Sequence, residues 1–201
     1  MGEQVIEFYF DFSSPYGYLA AEQIDDLAAG HGRSVAWKPF LLGAVFKQTG
    51  SQPLLDIPLK GEYGKHDMLR SARLQGVPFV FPPLFPFASV AAARAFYALT
   101  DADPAAAKRL ALALYRAAFA EGRDISKPEA VLAVAGEQGL EPGEVRAAID
   151  DPAVKARLRE EVEAAAARGV FGSPFIIVDG EPFWGHDRLP QVDLWLARGG
   201  W

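Results

Sequence analysis

Apolar positions in the first thirty residues follow two periods in turn. Phe8, Phe10 and Phe12 alternate with Tyr9 and Asp11, the period of two that predicts a β-strand. Ser14 is a preferred N-cap type, and Pro15 suits the first helical position, where its missing N–H costs nothing. Tyr18, Leu19, Ala21, Gln23 and Leu27 then recur turn after turn and predict one helix. Ser34 to Phe40 alternates again, with Val35, Trp37 and Pro39 on one side, and predicts a second strand. Leu41 to Gly61 mixes apolar residues with Gly and Pro, the pattern of a long loop with a short helix around Gly43 to Gln48. Beyond it the spacing is helical until about Arg168. Asp103-Pro104 supplies an N-cap and N1 pair for a face of Leu110, Leu114, Ala117 and Ala118. Ser126-Lys127-Pro128-Glu129 reads as a capping box, and Asp151-Pro152 opens a helix with Val154, Leu158, Val162 and Ala165 on its face.

At the C-terminal end the period returns to two. Phe175 to Val178 is a β-rich run, Asp179-Gly180 a strong hairpin signal, and Phe183-Trp184 the start of a return strand. Gly185-His186-Asp187 precedes a last amphipathic stretch through Leu189, Val192, Leu194 and Leu196, with Gly199-Gly200 past its end. Ser173-Pro174 is a candidate cis-proline. Strand–helix–strand at one end and hairpin–helix at the other, with a proline before the hairpin, predicts an α/β chain of thioredoxin-like fold with an inserted all-helical domain. The discontinuous thioredoxin-like part takes residues 1–42 and 169–201, and the insertion 43–168.

Composition narrows the function. The chain has 201 residues, half of them hydrophobic, enough for one good core with a large insertion. Its net charge is −6 and no stripe of Lys or Arg forms, which argues against a nucleic-acid partner. The most apolar segment, Val77 to Phe87, is too short and too rich in proline to span a bilayer. Met1 to Val5 lacks the basic-then-apolar pattern of a secretory leader, and there are no cysteines, so the expected compartment is the cytoplasm. His31, His66 and His186 share no ligand-type spacing, so no metal site is expected.

The chemistry centres on Ser14. A hydroxyl beside unpaired N–H groups at a helix start favours an anion, although a serine there can also be only a cap. In thioredoxin-like oxidoreductases the first strand runs into C-x-x-C; here Ser14-Pro15-Tyr16-Gly17 stands at that point. Phe-Asp-Phe-x-Ser-Pro at Phe10 to Pro15, Val-Phe-Gly-x-Pro at Val170 to Pro174 and Trp-Gly-x-Asp-Arg at Trp184 to Arg188 follow in order. Lys60-Gly61-Glu62-Tyr63, with Asp67 beyond, lies between them. With these motifs the chain resembles the 2-hydroxychromene-2-carboxylate isomerase family, close kin of kappa-class glutathione transferases and more distant kin of DsbA.

The resemblance implies glutathione as cofactor, a small aromatic substrate, a homodimer, and a catalytic Ser14 that donates a hydrogen bond to the thiolate of glutathione. It also implies a glutathione site. Ser173 pairs with the cysteinyl unit as an added strand would. Asp187 holds the ammonium, His186 and Lys60 meet the carboxylates, Asp67 orients Lys60 or touches the ligand, and Ser51 replaces an asparagine of the transferases. Plainer roles stay open: Asp187 as a cap of the last helix, His186 as a loop residue, Lys60 as a solvated side chain. Ser13 is a second hydroxyl beside Ser14, and Gly17, where many relatives carry serine, is expected to open space near the nucleophile. Lys47 and Lys60 are candidates to stabilise enolate charge. The segment Val77 to Phe87 is either an apolar wall for an aromatic substrate or packing between the two parts of the chain. The expected activity is a glutathione-dependent cis–trans isomerase, with a kappa-like transferase or peroxidase and a redox-inert thioredoxin-like binding module as alternatives.

Overall fold

A computed structural model describes residues 5–201. Its sheet has four strands in the order β2-β1-β3-β4. β1 (Ile6–Phe10) runs parallel to β2 (Val35–Pro39), with Phe8 opposite Trp37, and antiparallel to β3 (Phe175–Val178), with Phe8 opposite Ile176. β4 (Glu181–Trp184) closes the hairpin on β3. At its turn Asp179 and Gly180 have φ of 54° and 92°, the paired positive values that make Asp-Gly a hairpin signal. β1 lies between two neighbours and is covered on both faces, so Tyr9 is buried along with Phe8 and Phe10. The aromatic alternation therefore marks two covered faces rather than an inside and an outside. Phe12, expected in the strand, is buried just beyond its end.

The expected single helix after Ser14 is two: α1 (Pro15–Ala21) and α2 (Ile24–Gly30). Gln23 breaks the run. Its side-chain amide donates to the Leu19 carbonyl at 3.0 Å, and its own N–H turns to Ala20, three residues back. That tighter turn ends one helix and re-aims the next. After β2 come α3 (Leu42–Thr49), a 3₁₀ turn at Leu54–Asp56 and α4 (Lys60–Gln75). The helical spacing is then interrupted. Residues 76–89 run without helix or strand and include a cis Phe85–Pro86 bond, and Phe79, Phe85 and Phe87 gather around Phe119. Then follow α5 (Val90–Thr100), α6 (Pro104–Phe119), α7 (Pro128–Glu137), α8 (Pro142–Asp150) and α9 (Pro152–Ala167), all between β2 and β3 in the chain. Buried alanines on α5 and α6 let those helices approach closely, and Phe96 and Tyr115 bring them onto Phe10 of the sheet. Sheet and helices thus share one apolar core.

Asp103 and Asp151 cap α6 and α9 through side-chain bonds to Ala106 and Ala153 N–H, as their pairing with proline predicts. Ser126 does not cap α7. Pro128 takes the first helical position and keeps Lys127 extended (φ −100°, ψ 144°), so Lys127 becomes the N-cap, with no side-chain bond. The Ser126 amide instead donates to Asp124. A 3₁₀ turn at His186–Arg188 leads into α10 (Leu189–Arg198), whose end Gly199 closes at φ 74°.

Candidate active site

β1 stops at Phe10, and the chain turns through Asp11, Phe12 and Ser13 to deliver Ser14 at the start of α1. Ser14 is extended (φ −99°, ψ 111°) and its Oγ accepts the Gly17 N–H at 3.0 Å. The same hydroxyl donates to the Ser173 carbonyl at 2.8 Å, joining the helix start to the residue before the cis Ser173–Pro174 bond. Ser14 is buried, 5% exposed, yet it borders a cleft. Its support is local: α1 has seven residues, so few peptide dipoles add up behind it.

Behind Ser14 lies a set of interlocked polar groups. The Asp11 carboxylate accepts from Ser13 N–H (2.8 Å), Ser13 hydroxyl (3.0 Å) and Leu42 N–H (2.7 Å), and from the Ser89 hydroxyl. Burial pushes its carboxyl above the ordinary range, and those hydrogen bonds pull the other way. Asp11 thereby ties the end of β1 to the starts of α3 and α5, and the hydroxyl of Ser13, which also borders the cleft, donates to it. The Asp11 N–H donates to Ser173 Oγ (2.9 Å), and the Tyr115 hydroxyl donates to the Asp11 carbonyl (2.8 Å). Burial holds the Tyr115 phenol well above its ordinary pKa, so it remains a donor. Gly17 does not open space near Ser14 as its small size suggests. A Cβ there would lie 2.5 Å from the Tyr115 hydroxyl and 2.9 Å from Ser173 Oγ, because those groups already fill the volume.

The cleft encloses about 2070 Å³ and is lined by Ser14, Ser51, Lys60, Asp67, Ser173, His186 and Asp187. Tyr16 lines it as well. Its hydroxyl donates to Asp67 at 2.6 Å and its ring stacks on His186, with centroids 4.8 Å apart and planes 9° from parallel. Asp67 also accepts from Arg70 (2.8 Å), whose guanidinium reaches the Tyr63 hydroxyl (2.6 Å). Asp67 is therefore engaged with Tyr16 and Arg70, and it does not orient Lys60. Partial burial raises the Asp67 carboxyl, but the hydrogen bonds from Tyr16 and Arg70 outweigh it and hold the group below its ordinary value. Burial lowers His186, against the pull of Asp187 and Asp67, so the ring is neutral at neutral pH and offers an N–H without a charge. Lys60, exposed at the first position of α4, has no ion-pair partner among the described residues. Asp187 does not cap α10, whose N-cap is Arg188; it makes an exposed 3.1 Å pair with Arg188, which contributes little. Lys47 lies outside the cleft, which Phe46 faces instead.

The Pro-Phe segment serves two purposes: Phe79 packs on Phe119, while Phe85, Pro86 and Phe87 line the cleft. Phe171 and Trp184 also line it, half exposed, 4.8 Å apart and edge to face. Sequence reasoning placed Phe171 and Trp184 in motifs without giving them a wall to line, and it missed the roles of Tyr16, Tyr115 and Arg70. The position of Tyr16 between Pro15 and Gly17 was the one available hint.

This geometry defines a class: a thioredoxin-like α/β unit whose helix start carries serine instead of thiols and opens on a cleft roofed by helices. The chain belongs to the DSBA-like thioredoxin domain family, whose model matches residues 5–197. It is 31% identical to glutathione S-transferase kappa 2 of Caenorhabditis elegans over 97% of this chain and 92% of that protein. Against 2-hydroxychromene-2-carboxylate isomerase of Sphingobium xenophagum it is 30% identical, over 96% and 98% of the two chains. A solved 2-hydroxychromene-2-carboxylate isomerase superposes with a TM-score of 0.86 at 30% identity, covering 96% of this chain and 95% of the other. Among the described residues no helix is long and apolar enough to cross a membrane.

Proposed function

We propose that the protein is a glutathione-dependent cis–trans isomerase that interconverts 2-hydroxychromene-2-carboxylate and trans-o-hydroxybenzylidenepyruvate, or a related aromatic catabolite. The observation that carries the reading is the Ser14 hydroxyl, hydrogen-bonded to the Ser173 carbonyl at the edge of a cleft with room for a tripeptide and an aromatic acid. The donor set suits glutathione. The Ser173 backbone, in the bend just before β3, offers its carbonyl to a peptide, Lys60 an uncommitted cation to a carboxylate, and Asp187 an anion to an ammonium. Bound glutathione would supply the nucleophile, whose reversible addition to a conjugated carbon turns a double bond into a rotatable one.

The protein's own part is to hold and ionise that thiol. A free thiol titrates near ~8.5, and each unit of lowering corresponds to roughly 1.4 kcal/mol, within reach of one charge-assisted hydrogen bond from Ser14. Phe85, Phe87, Phe171 and Trp184 give the aromatic ring apolar walls, and Lys60 is the remaining candidate for enolate charge. We place the enzyme in the cytoplasm, in keeping with a chain that has no cysteine, with its helices forming a substrate-facing inserted domain, and as a homodimer, as the family resemblance implies; sedimentation tests the assembly. The likeness to a kappa-class transferase favours one second reading, a transferase or peroxidase that consumes glutathione. Product analysis decides between them. An isomerase leaves total glutathione unchanged over many turnovers, whereas stoichiometric loss of the free thiol would refute the proposal. Calorimetry without heat on adding glutathione would reduce the protein to a binding module of another kind.

A further inference from the structure

Ser14 has one hydroxyl proton, and its place is dictated by its neighbours. The Ser173 carbonyl carries no hydrogen, so across their 2.8 Å contact Ser14 is the donor. The Gly17 N–H, 3.0 Å away, occupies an acceptor site on the same oxygen. In this state the hydroxyl has no proton to offer a sulfur anion. Among the described residues Ser14 is the one donor to the Ser173 carbonyl, and that carbonyl is held in position because the Ser173 side chain is itself tied to the Asp11 N–H.

We propose that Ser14 is a partner-exchange donor, armed by the backbone of the ligand it serves. This rests on the glutathione reading above. A ligand whose thiol-bearing residue brings an N–H to the Ser173 carbonyl satisfies that acceptor in place of Ser14, so the Ser14 hydroxyl can leave it without stranding it and rotate to the ligand's sulfur anion. The exchange balances: Ser173 keeps one donor throughout, Ser14 keeps its proton, and the thiol proton leaves to solvent through the open cleft. Replacing one neutral hydrogen bond by another changes little, so the net gain is the charge-assisted O–H···S⁻ bond. Selectivity among thiols follows. A thiol without that N–H either leaves Ser14 on Ser173 or strands the Ser173 carbonyl, and it is not ionised in either case.

The test uses the intact protein with glutathione and with its depsipeptide, in which an ester oxygen replaces the γ-glutamyl–cysteinyl N–H. Calorimetry first sets saturating concentrations, and the ultraviolet thiolate band is then titrated with pH. The bound glutathione thiol is expected to ionise about one unit or more below its free value, and the depsipeptide thiol close to its own free value. Equal lowering in both would overturn the exchange while leaving the isomerase reading standing; no binding of glutathione would overturn both.

Ser14→Ala supplies a second signature. At about pH 6, where the thiol is protonated, there is no charge-assisted O–H···S⁻ bond for the serine to make, so glutathione should bind the variant about as tightly as the parent. Its pKa lowering should vanish. Weaker binding at that pH would also overturn the proposal. Ser14→Gly, a better-tolerated N-cap that equally lacks the hydroxyl, replaces the alanine variant if melting shows that the latter is unfolded.

Discussion

Gly17 occupies the position that the second cysteine of a C-x-x-C pair would take, and the structure explains why no side chain fits there. A Cβ would lie 2.5 Å from the Tyr115 hydroxyl, 2.9 Å from Ser173 Oγ and 3.2 Å from Ser14 Cβ. Gly17→Ala therefore sets two effects against each other. Alanine in a helix gains up to ~1 kcal/mol over glycine, whereas overpacking a filled site costs about 1–3 kcal/mol. Relief requires the Tyr115 hydroxyl to move by roughly half an ångström or more, which weakens its buried bond to the Asp11 carbonyl, a loss worth about 1–3 kcal/mol. The single variant should therefore lose about 1–2 kcal/mol net. Tyr115→Phe removes the obstructing oxygen and costs about 1–2 kcal/mol alone, for the lost bond. In the double variant the tightest contact is gone, only the 2.9 Å approach to Ser173 Oγ and the 3.2 Å approach to Ser14 Cβ remain, and the helix gain persists, so it should be more stable than the sum of the singles by about 1 kcal/mol. Urea unfolding of the four proteins, with unchanged slopes, measures this coupling. Additivity within ~0.5 kcal/mol, or a Gly17→Ala variant more stable than the parent, would refute the packing argument. For the same reason Gly17→Cys with Ser14→Cys should fail to install a working dithiol until Tyr115 is also made smaller.

Three further outcomes are expected. Ser14→Ala should lower turnover at neutral pH by about eight- to twenty-five-fold, the loss of thiolate at pH 7 when one to two units of lowering from ~8.5 disappear, and cost about 1 kcal/mol of stability for the lost cap; steady-state rates and melting read the two separately. The carboxyl of Asp67 is lower in the folded than in the unfolded chain, so it contributes stability that is complete above the ordinary carboxylate range and lost as pH falls through and below ~4. Asp67→Asn should therefore flatten the acid limb of a stability–pH curve, and an unchanged limb would count against the Tyr16–Asp67–Arg70 assignment. Lys60→Gln should raise the dissociation constant for glutathione about three- to fivefold at low salt, with little change at high salt. Calorimetry at two ionic strengths decides this.

Much of the site could be read in the chain before folding was considered. Ser14-Pro15 marks a helix start because an N-cap oxygen and a ring without N–H suit those two positions and few others. Asp179-Gly180 marks the hairpin because both residues tolerate positive φ. Such signals act over two to four residues, so they survive without knowledge of the fold, and the capping aspartates Asp103 and Asp151 belong with them. Ser126 misled because Pro128 dictates the backbone of the residue before it more strongly than a distant serine can. The break at Gln23 escaped notice because a polar side chain reaching back to a carbonyl leaves no trace in apolar spacing.

Contacts between distant residues were decided by tertiary structure alone. Tyr115 reaches Asp11 across 104 positions, and Ser14 reaches Ser173 across 159. Asp67 faces Tyr16 rather than Lys60, although it shares a helix with Lys60. Local propensity is a property of neighbouring backbone and could be read directly. Which hydroxyl fills the space above a glycine, and which carbonyl receives a serine's proton, depends on how helices and sheet close over one core. No short stretch of sequence contains that information.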